Sequence, residues 1–222
     1  PPAPVVKNTI ENKQTSEREH TAPIYLSSSF TFEYAEQARA MFADELPGNI
    51  YSIFSNPNTN EFINKLAALE GAEDGLPAAS GMAAVYASLA GLLKDGDHVL
   101  ASRALFASSH QILTKILPKF GVTSSYVDGT SKEEWEQGLK PNTKIIFIET
   151  PSNPGLELID LEWIGLFAKS NNVLLLVDNT FATPYLQRPI QFGADLVIHS
   201  ATKFIDGQGR AVKPRQCVVG DF

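Results

Sequence analysis

From Asn58 onward the chain alternates amphipathic helical patterns with short β-rich runs, and this alternation constrains the fold more than any other feature. It is the signature of βαβ units, whose strands lie parallel beneath covering helices. Phe62, Leu66 and Leu69 recur on one face of a first helix, opened by a cap-like Asn58/Glu61 pair and closed near Gly71. A second helix is expected from Ser80-Gly81 through MAAVYASLAGLL, apolar nearly all round and so buried against the sheet. Strands are expected at 98–101, 123–127, 144–149, 173–177 and 195–199. Helices are expected around 109–119, after the capping box Ser131-x-x-Glu134, and from Asp160 through Trp163 and Phe167. The run Val173 to Val177 is continuously apolar, which suits a strand covered on both faces.

Before Asn58 the pattern changes. Residues 1–57 are polar, contain Ser27-Ser28-Ser29 and offer one helix, near Glu36 to Asp44. They read as an arm that packs on a partner, or equally as a loop-rich edge of the same domain. With 25 acidic against 18 basic residues the net charge is -7, so no basic stripe is available for nucleic acid. The single cysteine, Cys217, rules out an intrachain disulfide, and no apolar run is long enough to span a bilayer. A cytoplasmic protein with neither nucleic-acid nor membrane partners is expected.

Open α/β sheets bind ligands at the carboxyl ends of their strands, so the residues that follow each apolar run matter most. Three ends stand out: Asp178-Asn179-Thr180, Ser200-Ala201-Thr202-Lys203, and Thr150-Pro151-Ser152-Asn153-Pro154. Asp178 at a strand end needs a cation or hydrogen-bond donors if buried, and taken alone it fits a turn or helix cap as well. Lys203 follows small hydroxylated residues, where a desolvated amine would be nucleophilic; a solvated lysine is the plain alternative. Ser200 and Thr202 can donate hydroxyls to a phosphate, and Ser80-Gly81-Met82 opens a helix N-terminus, which favours anions. A ligand with a phosphate, an aldehyde and a basic ring nitrogen fits all of these groups at once, and pyridoxal 5'-phosphate (PLP) is such a ligand. Dinucleotide, P-loop and metal-ligand spacings are absent, and His199, His20, His98 and His110 read as packing or surface residues.

The segments REHTAPIYLSSSF, NIYSIFSNPNTNEF, ASGMAAV, ETPSNP and VDNTFATPYLQRPIQFGADLVIHSATKFIDGQGR resemble the Cys/Met-metabolism family of fold-type I PLP enzymes. The resemblance implies the large domain of that α/β fold at 58–222, a mostly parallel sheet with helices on both faces, without the small C-terminal domain, and an arm at 1–57 that contacts a neighbouring subunit. It implies a Schiff base at Lys203, a pyridinium partner in Asp178, phosphate contacts from Gly81, Met82, Ser200 and Thr202, and a place for Asn153 near the ring hydroxyl. Phe106 falls where the family stacks an aromatic ring on the cofactor. Tyr51 matches a tyrosine that reaches the phosphate in the neighbouring subunit, so a dimer or tetramer is implied. Asp206 to Arg210 resembles the sulfhydrylase branch, which forms homocysteine from O-succinylhomoserine or O-acetylhomoserine and sulfide in methionine biosynthesis. Cystathionine γ-synthase, a γ-lyase, and a truncated chain without catalysis are the other readings. Two places depart from the family: Ile53 replaces an arginine, and Lys213-Pro214-Arg215-Gln216 interrupts an expected strand.

Overall fold

The computed structural model describes residues 23–207 and 216–220. The expectations attached to His20, Gln208 to Arg210 and Lys213 to Arg215 lie outside the described residues. Contacts divide the chain into a unit Val5–Lys65 and a unit that takes in Leu66–Phe222. Helix α2 covers Pro57–Glu70.

In the N-terminal unit, helix α1 covers Ala35–Phe42, and a single antiparallel bridge joins Ser29 to Tyr51. The cap of α2 differs from expectation. Asn56 Oδ1 accepts the Asn58 N–H at 3.0 Å, which places Pro57 at the first helical position, where its missing N–H costs nothing. Asn58 instead ties down the preceding chain, donating to Pro23 O at 2.7 Å and accepting from Tyr25 N at 2.8 Å.

The larger unit is built on seven strands: β1 (Asp74–Ala78), β2 (His98–Ser102), β3 (Thr123–Val127), β4 (Thr143–Glu149), β5 (Leu174–Asp178), β6 (Leu196–His199) and β7 (Gln216–Gly220). Their order is β1-β7-β6-β5-β4-β2-β3. Pairs β3/β2, β2/β4, β4/β5 and β5/β6 are parallel, whereas β7 runs antiparallel to both β6 and β1. The mostly parallel α/β sheet is as expected. Strand β1 was not foreseen, because Gly75 and Pro77 are unfavourable strand signals, whereas the strand expected to be interrupted at Lys213 to Gln216 forms as β7 and already includes Gln216, paired with Ala78.

Successive side chains along a strand point to opposite faces. On one face Val99, Ala101, Ile145, Phe147, Leu176 and Ile198 share a core with Ala84, Val85 and Leu89 of α3 (Gly81–Leu92) and with Leu113 and Leu117 beyond the short helix α4 (Ala107–Gln111). On the other face Leu100 and Val127 lie against Gly138, at the end of α5 (Lys132–Gly138). Helix α6 (Leu161–Ser170) packs on β5. Helices thus cover both faces, and Leu100, Ile146, Phe147, Leu175 and Leu176 are wholly excluded from water. Each side chain of that size contributes about 1.5–3 kcal/mol by burial. Helix α3 is not buried all round: Ala84, Val85, Ser88 and Leu89 face the core, while Tyr86 and Leu92 are exposed.

The expected caps form. Ser80 Oγ accepts from Ala83 N at 3.1 Å, Ser131 Oγ from Glu134 N at 3.2 Å and Asp160 Oδ1 from Trp163 N at 3.1 Å. The reciprocal half of the Ser131 box is diverted, because the Glu134 carboxylate accepts from Asp128 N and pairs with Arg103. Among the described residues no helix is long and apolar enough to cross a membrane, and no group of side chains could hold a metal ion.

Candidate active site

The carboxyl ends of β4, β5 and β6 open onto a cavity of about 280 Å³. That volume sits near the lower limit for small-molecule sites, so it suits a compact ligand. A groove of about 560 Å³ between Leu158–Glu162 and Pro184–Phe192 is larger, but it draws no residues from the strand ends. In the strand order, β4 and β2 are the neighbours between which the chain direction of winding reverses, and a crevice forms at such a point. The loop after β2 contributes Phe106, the loop after β4 Asn153, and the end of β5 Asp178; the segment after β6 contributes Ser200, Thr202 and Lys203. Gly81 and Met82 complete the lining from the first turn of α3. A helix leaves the N–H groups of its first turn without internal partners; Ser80 caps that of Ala83, while Gly81 and Met82 lie at the cavity.

All the residues expected at the site are therefore brought together except Tyr51, which belongs to the N-terminal unit and does not line this cavity. One expectation needs correction. Lys203 is exposed, so it lacks the desolvated surroundings anticipated for it. Its backbone N–H bonds Ser200 O at 3.1 Å, within a turn that sets lysine and hydroxyl groups side by side.

Asp178 ends β5 in an orderly network. Its Oδ1 accepts the Thr180 N–H at 3.0 Å, and Thr180 Oγ1 in turn accepts the Ser200 N–H at 2.9 Å. Burial raises the Asp178 carboxyl above the ordinary aspartate range, while the Thr180 hydroxyl and N–H and the His199 ring pull it back. Among the described residues no cation pairs with it.

Glu149, which the sequence reading passed over, is the other carboxyl in the cavity. It pairs in register with Asp178 across β4 and β5 and is almost fully buried. Burial, and then the neighbouring Asp178 charge, push its pKa up to about 8, against the opposing pull of the Phe106 and Asn153 N–H groups. Its Oε2 accepts the Phe106 N–H at 2.5 Å and so sets the position of the half-exposed Phe106 ring. The available signal was its place as the last residue of an apolar strand whose following loop had already been singled out.

PLP fits these groups. A half-buried aspartate without a cation among the described residues suits a ring that brings a protonated nitrogen, and the α3 N-terminus with the Ser200 and Thr202 hydroxyls suits a phosphate. Asp178 and the phosphate-suited groups lie in one cavity with an amine, Lys203.

Comparison with known proteins agrees. A family model described as "Cys/Met metabolism PLP-dependent enzyme" matches residues 4–218. The chain is 46% identical to an O-succinylhomoserine sulfhydrylase of Pseudomonas aeruginosa over 90% of its own length and 50% of that protein's. It is 44% identical to an L-methionine γ-lyase of Fusobacterium nucleatum, over 86% of its length and 48% of that protein's. A Campylobacter jejuni crystal structure described as an O-acetylhomoserine (thiol)-lyase, containing N'-pyridoxyl-lysine-5'-monophosphate, superposes with a TM-score of 0.87 at 35% identity. That alignment covers 93% of this chain and 51% of the other. The chain spans about half the length of the curated relatives it matches. With the match extending over nearly all of its residues, the chain belongs to the Cys/Met-metabolism family of PLP-dependent enzymes.

Proposed function

We propose that this chain forms the cofactor-binding part of a PLP-dependent γ-replacement enzyme that makes homocysteine from O-succinylhomoserine, or its acetyl counterpart, and sulfide. The observation that carries the cofactor part is the convergence of Lys203, Asp178, Ser200, Thr202, Gly81 and Met82 on one cavity at the strand ends. The 46% identity to a sulfhydrylase, together with the Asp206-Gly207 start of the branch motif, supports the choice of reaction.

When bound, PLP supplies an aldehyde for the substrate amine and a ring that accepts electrons from bonds broken at the α-carbon. Lys203 Nζ would hold the aldehyde, and as a free amine it would move protons between substrate carbons as a general base and acid. Asp178 keeps the ring nitrogen protonated. The Ser200 and Thr202 hydroxyls and the N–H groups of Gly81 and Met82 would bind the phosphate, Asn153 would meet the ring hydroxyl, and Phe106 would pack on the ring. On resemblance, Tyr51 serves the phosphate in a neighbouring copy, within a dimer or tetramer. A single cysteine and a small-molecule substrate suit a cytoplasmic setting.

The similarity to L-methionine γ-lyases supports a second reading, γ-elimination, which uses the same cofactor groups. Borohydride reduction of PLP-saturated protein, followed by intact mass and peptide mapping, tests the cofactor assignment. One pyridoxyl group on Lys203 is expected, and its absence or its location on another lysine refutes the site. Homocysteine made from O-succinylhomoserine only when sulfide is present supports replacement, whereas a keto acid released without sulfide supports elimination.

A further inference from the structure

Behind the sheet, on the face away from the cavity, a chain of buried side chains connects the three strand ends that carry the site. Asn179 follows Asp178, His199 precedes Ser200, and Thr150 follows Glu149; strand alternation turns Asn179 and His199 away from the cavity that Asp178 and Ser200 line. Glu70, the last residue of α2, places Oε1 2.5 Å from His199 Nε2 and 2.8 Å from Asn179 Nδ2. Asn179 Nδ2 also donates to Gln187 O at 2.9 Å, and Gln187 Nε2 donates to Asn179 Oδ1 at 3.0 Å and to Thr150 O at 2.8 Å. Glu70, Asn179 and His199 are wholly excluded from water.

This arrangement is expensive. Glu70 Oε2 and His199 Nδ1 are buried without a hydrogen-bond partner among the described residues, and each such atom carries a desolvation penalty. An apolar trio of similar shape would fill the space without that penalty, so cohesion of the core does not account for the polar choice. What the network does provide is directional. It fixes the spacing of three strand ends at the point where each presents a cavity residue, and hydrogen bonds hold such a spacing more narrowly than apolar packing does.

We propose that Glu70 is a positioning residue for the cofactor site: its Oε1 clamps Asn179 and His199, and with Gln187 it holds Asp178, Ser200 and the loop after Glu149 at the mutual distances that one bound PLP requires. This inference rests on the cofactor reading above. It depends on the reach of the side chain, so the isosteric Glu70→Gln keeps the clamp, and Glu70→Asp, shorter by one carbon and by about 1.5 Å, loses it while keeping the carboxyl group.

The test is visible circular dichroism of bound PLP, which is optically active only when held asymmetrically, together with PLP titration and melting of each variant without PLP. Glu70→Asp is expected to weaken PLP binding about tenfold, the size of one lost charge-assisted hydrogen bond, and to lower the ellipticity per bound cofactor about twofold or more. Glu70→Gln is expected to stay within about threefold of the parent in affinity, with its ellipticity kept. Gln187→Met, which cuts the link to Thr150 at the half-buried edge of the network, gives the same direction of change as Glu70→Asp should that variant fail to fold. Parental affinity and ellipticity in both Glu70→Asp and Gln187→Met overturn the clamp, as does a Glu70→Gln protein impaired as much as Glu70→Asp. A parent protein that shows no visible band at saturating PLP refutes the cofactor reading itself.

Discussion

Glu149 shows how a residue with no motif of its own acquires a function from its neighbours. Its carboxyl is paired in register with Asp178, and its Oε2 holds the Phe106 N–H. Burial disfavours the Glu149 charge, and the neighbouring Asp178 carboxylate repels it, so the folded protein keeps a proton on Glu149 up to about pH 8, against the ordinary 4.5. The folded state therefore binds more protons than the unfolded chain between these values. Glu149 contributes stability that is fully present below 4.5 and is lost as pH rises toward 8. Glu149→Gln, a neutral isostere, should remove that loss: in urea unfolding without PLP, the parent should decline relative to the variant by up to about 1.4 kcal/mol per pH unit across the window. A constant difference would place the proton elsewhere. The sequence made Lys203, Asp178, Asn153 and the hydroxyls legible because each follows an apolar run in a polar stretch. Glu149 was hidden because it reads as the strand's own last residue. The Lys203 surroundings were also beyond sequence reading, since exposure depends on where the turn after β6 points the side chain.

At the level of elements, caps and periodicity carried most of the information. Ser80, Ser131 and Asp160 each accept the expected N–H, because that bond depends on residues three positions apart and on nothing distant. Strands β1 and β7 depend on pairing across more than a hundred residues, and neither has a local pattern that overrides its glycine or nearby proline. Close approaches are equally illegible. Gly165 in α6 packs against the 3-10 turn Pro189–Phe192, and a Cβ on it would stand 1.8 Å from Phe192 O. Backbone cannot retreat as a flexible side chain can, so Gly165→Ala should destabilise by about 1–3 kcal/mol despite the better helix propensity of alanine. Asp160→Ala at the start of the same helix should cost about 1 kcal/mol through the lost cap alone. Denaturant midpoints of the two variants decide this, and a Gly165→Ala protein as stable as the parent would mean that α6 can shift away from the turn.

Across the whole sheet, the two ends of the parallel strands titrate in opposite directions. The carboxyl ends hold Glu149 and Asp178, both raised; the amino end of β2 holds His98, which is inaccessible to water and has both ring nitrogens occupied. His98 Nδ1 lies 2.8 Å from Thr143 Oγ1 and Nε2 lies 2.6 Å from Ser125 Oγ, contacts that suit a neutral ring with one donating and one accepting nitrogen. A second ring proton would break this arrangement. Burial, and secondarily the Lys140 charge, accordingly lower the His98 pKa from 6.5 to about 4. Here the unfolded chain binds the extra proton first, so the contribution of His98 is present above 6.5 and is lost as pH falls toward 4. Between 4.5 and 6.5 the slope of His98 opposes those of the two raised carboxyls, and from 6.5 to 8 the decline from Glu149 continues without that opposition. Stability of the protein without PLP should therefore fall less steeply across the first interval than across the second. His98→Gln should steepen the decline with rising pH across the first interval, and Glu149→Gln should lessen it. Urea midpoints of the three proteins over the full range provide the check. If both variants keep the parental profile, neither end of the sheet governs how this protein responds to pH.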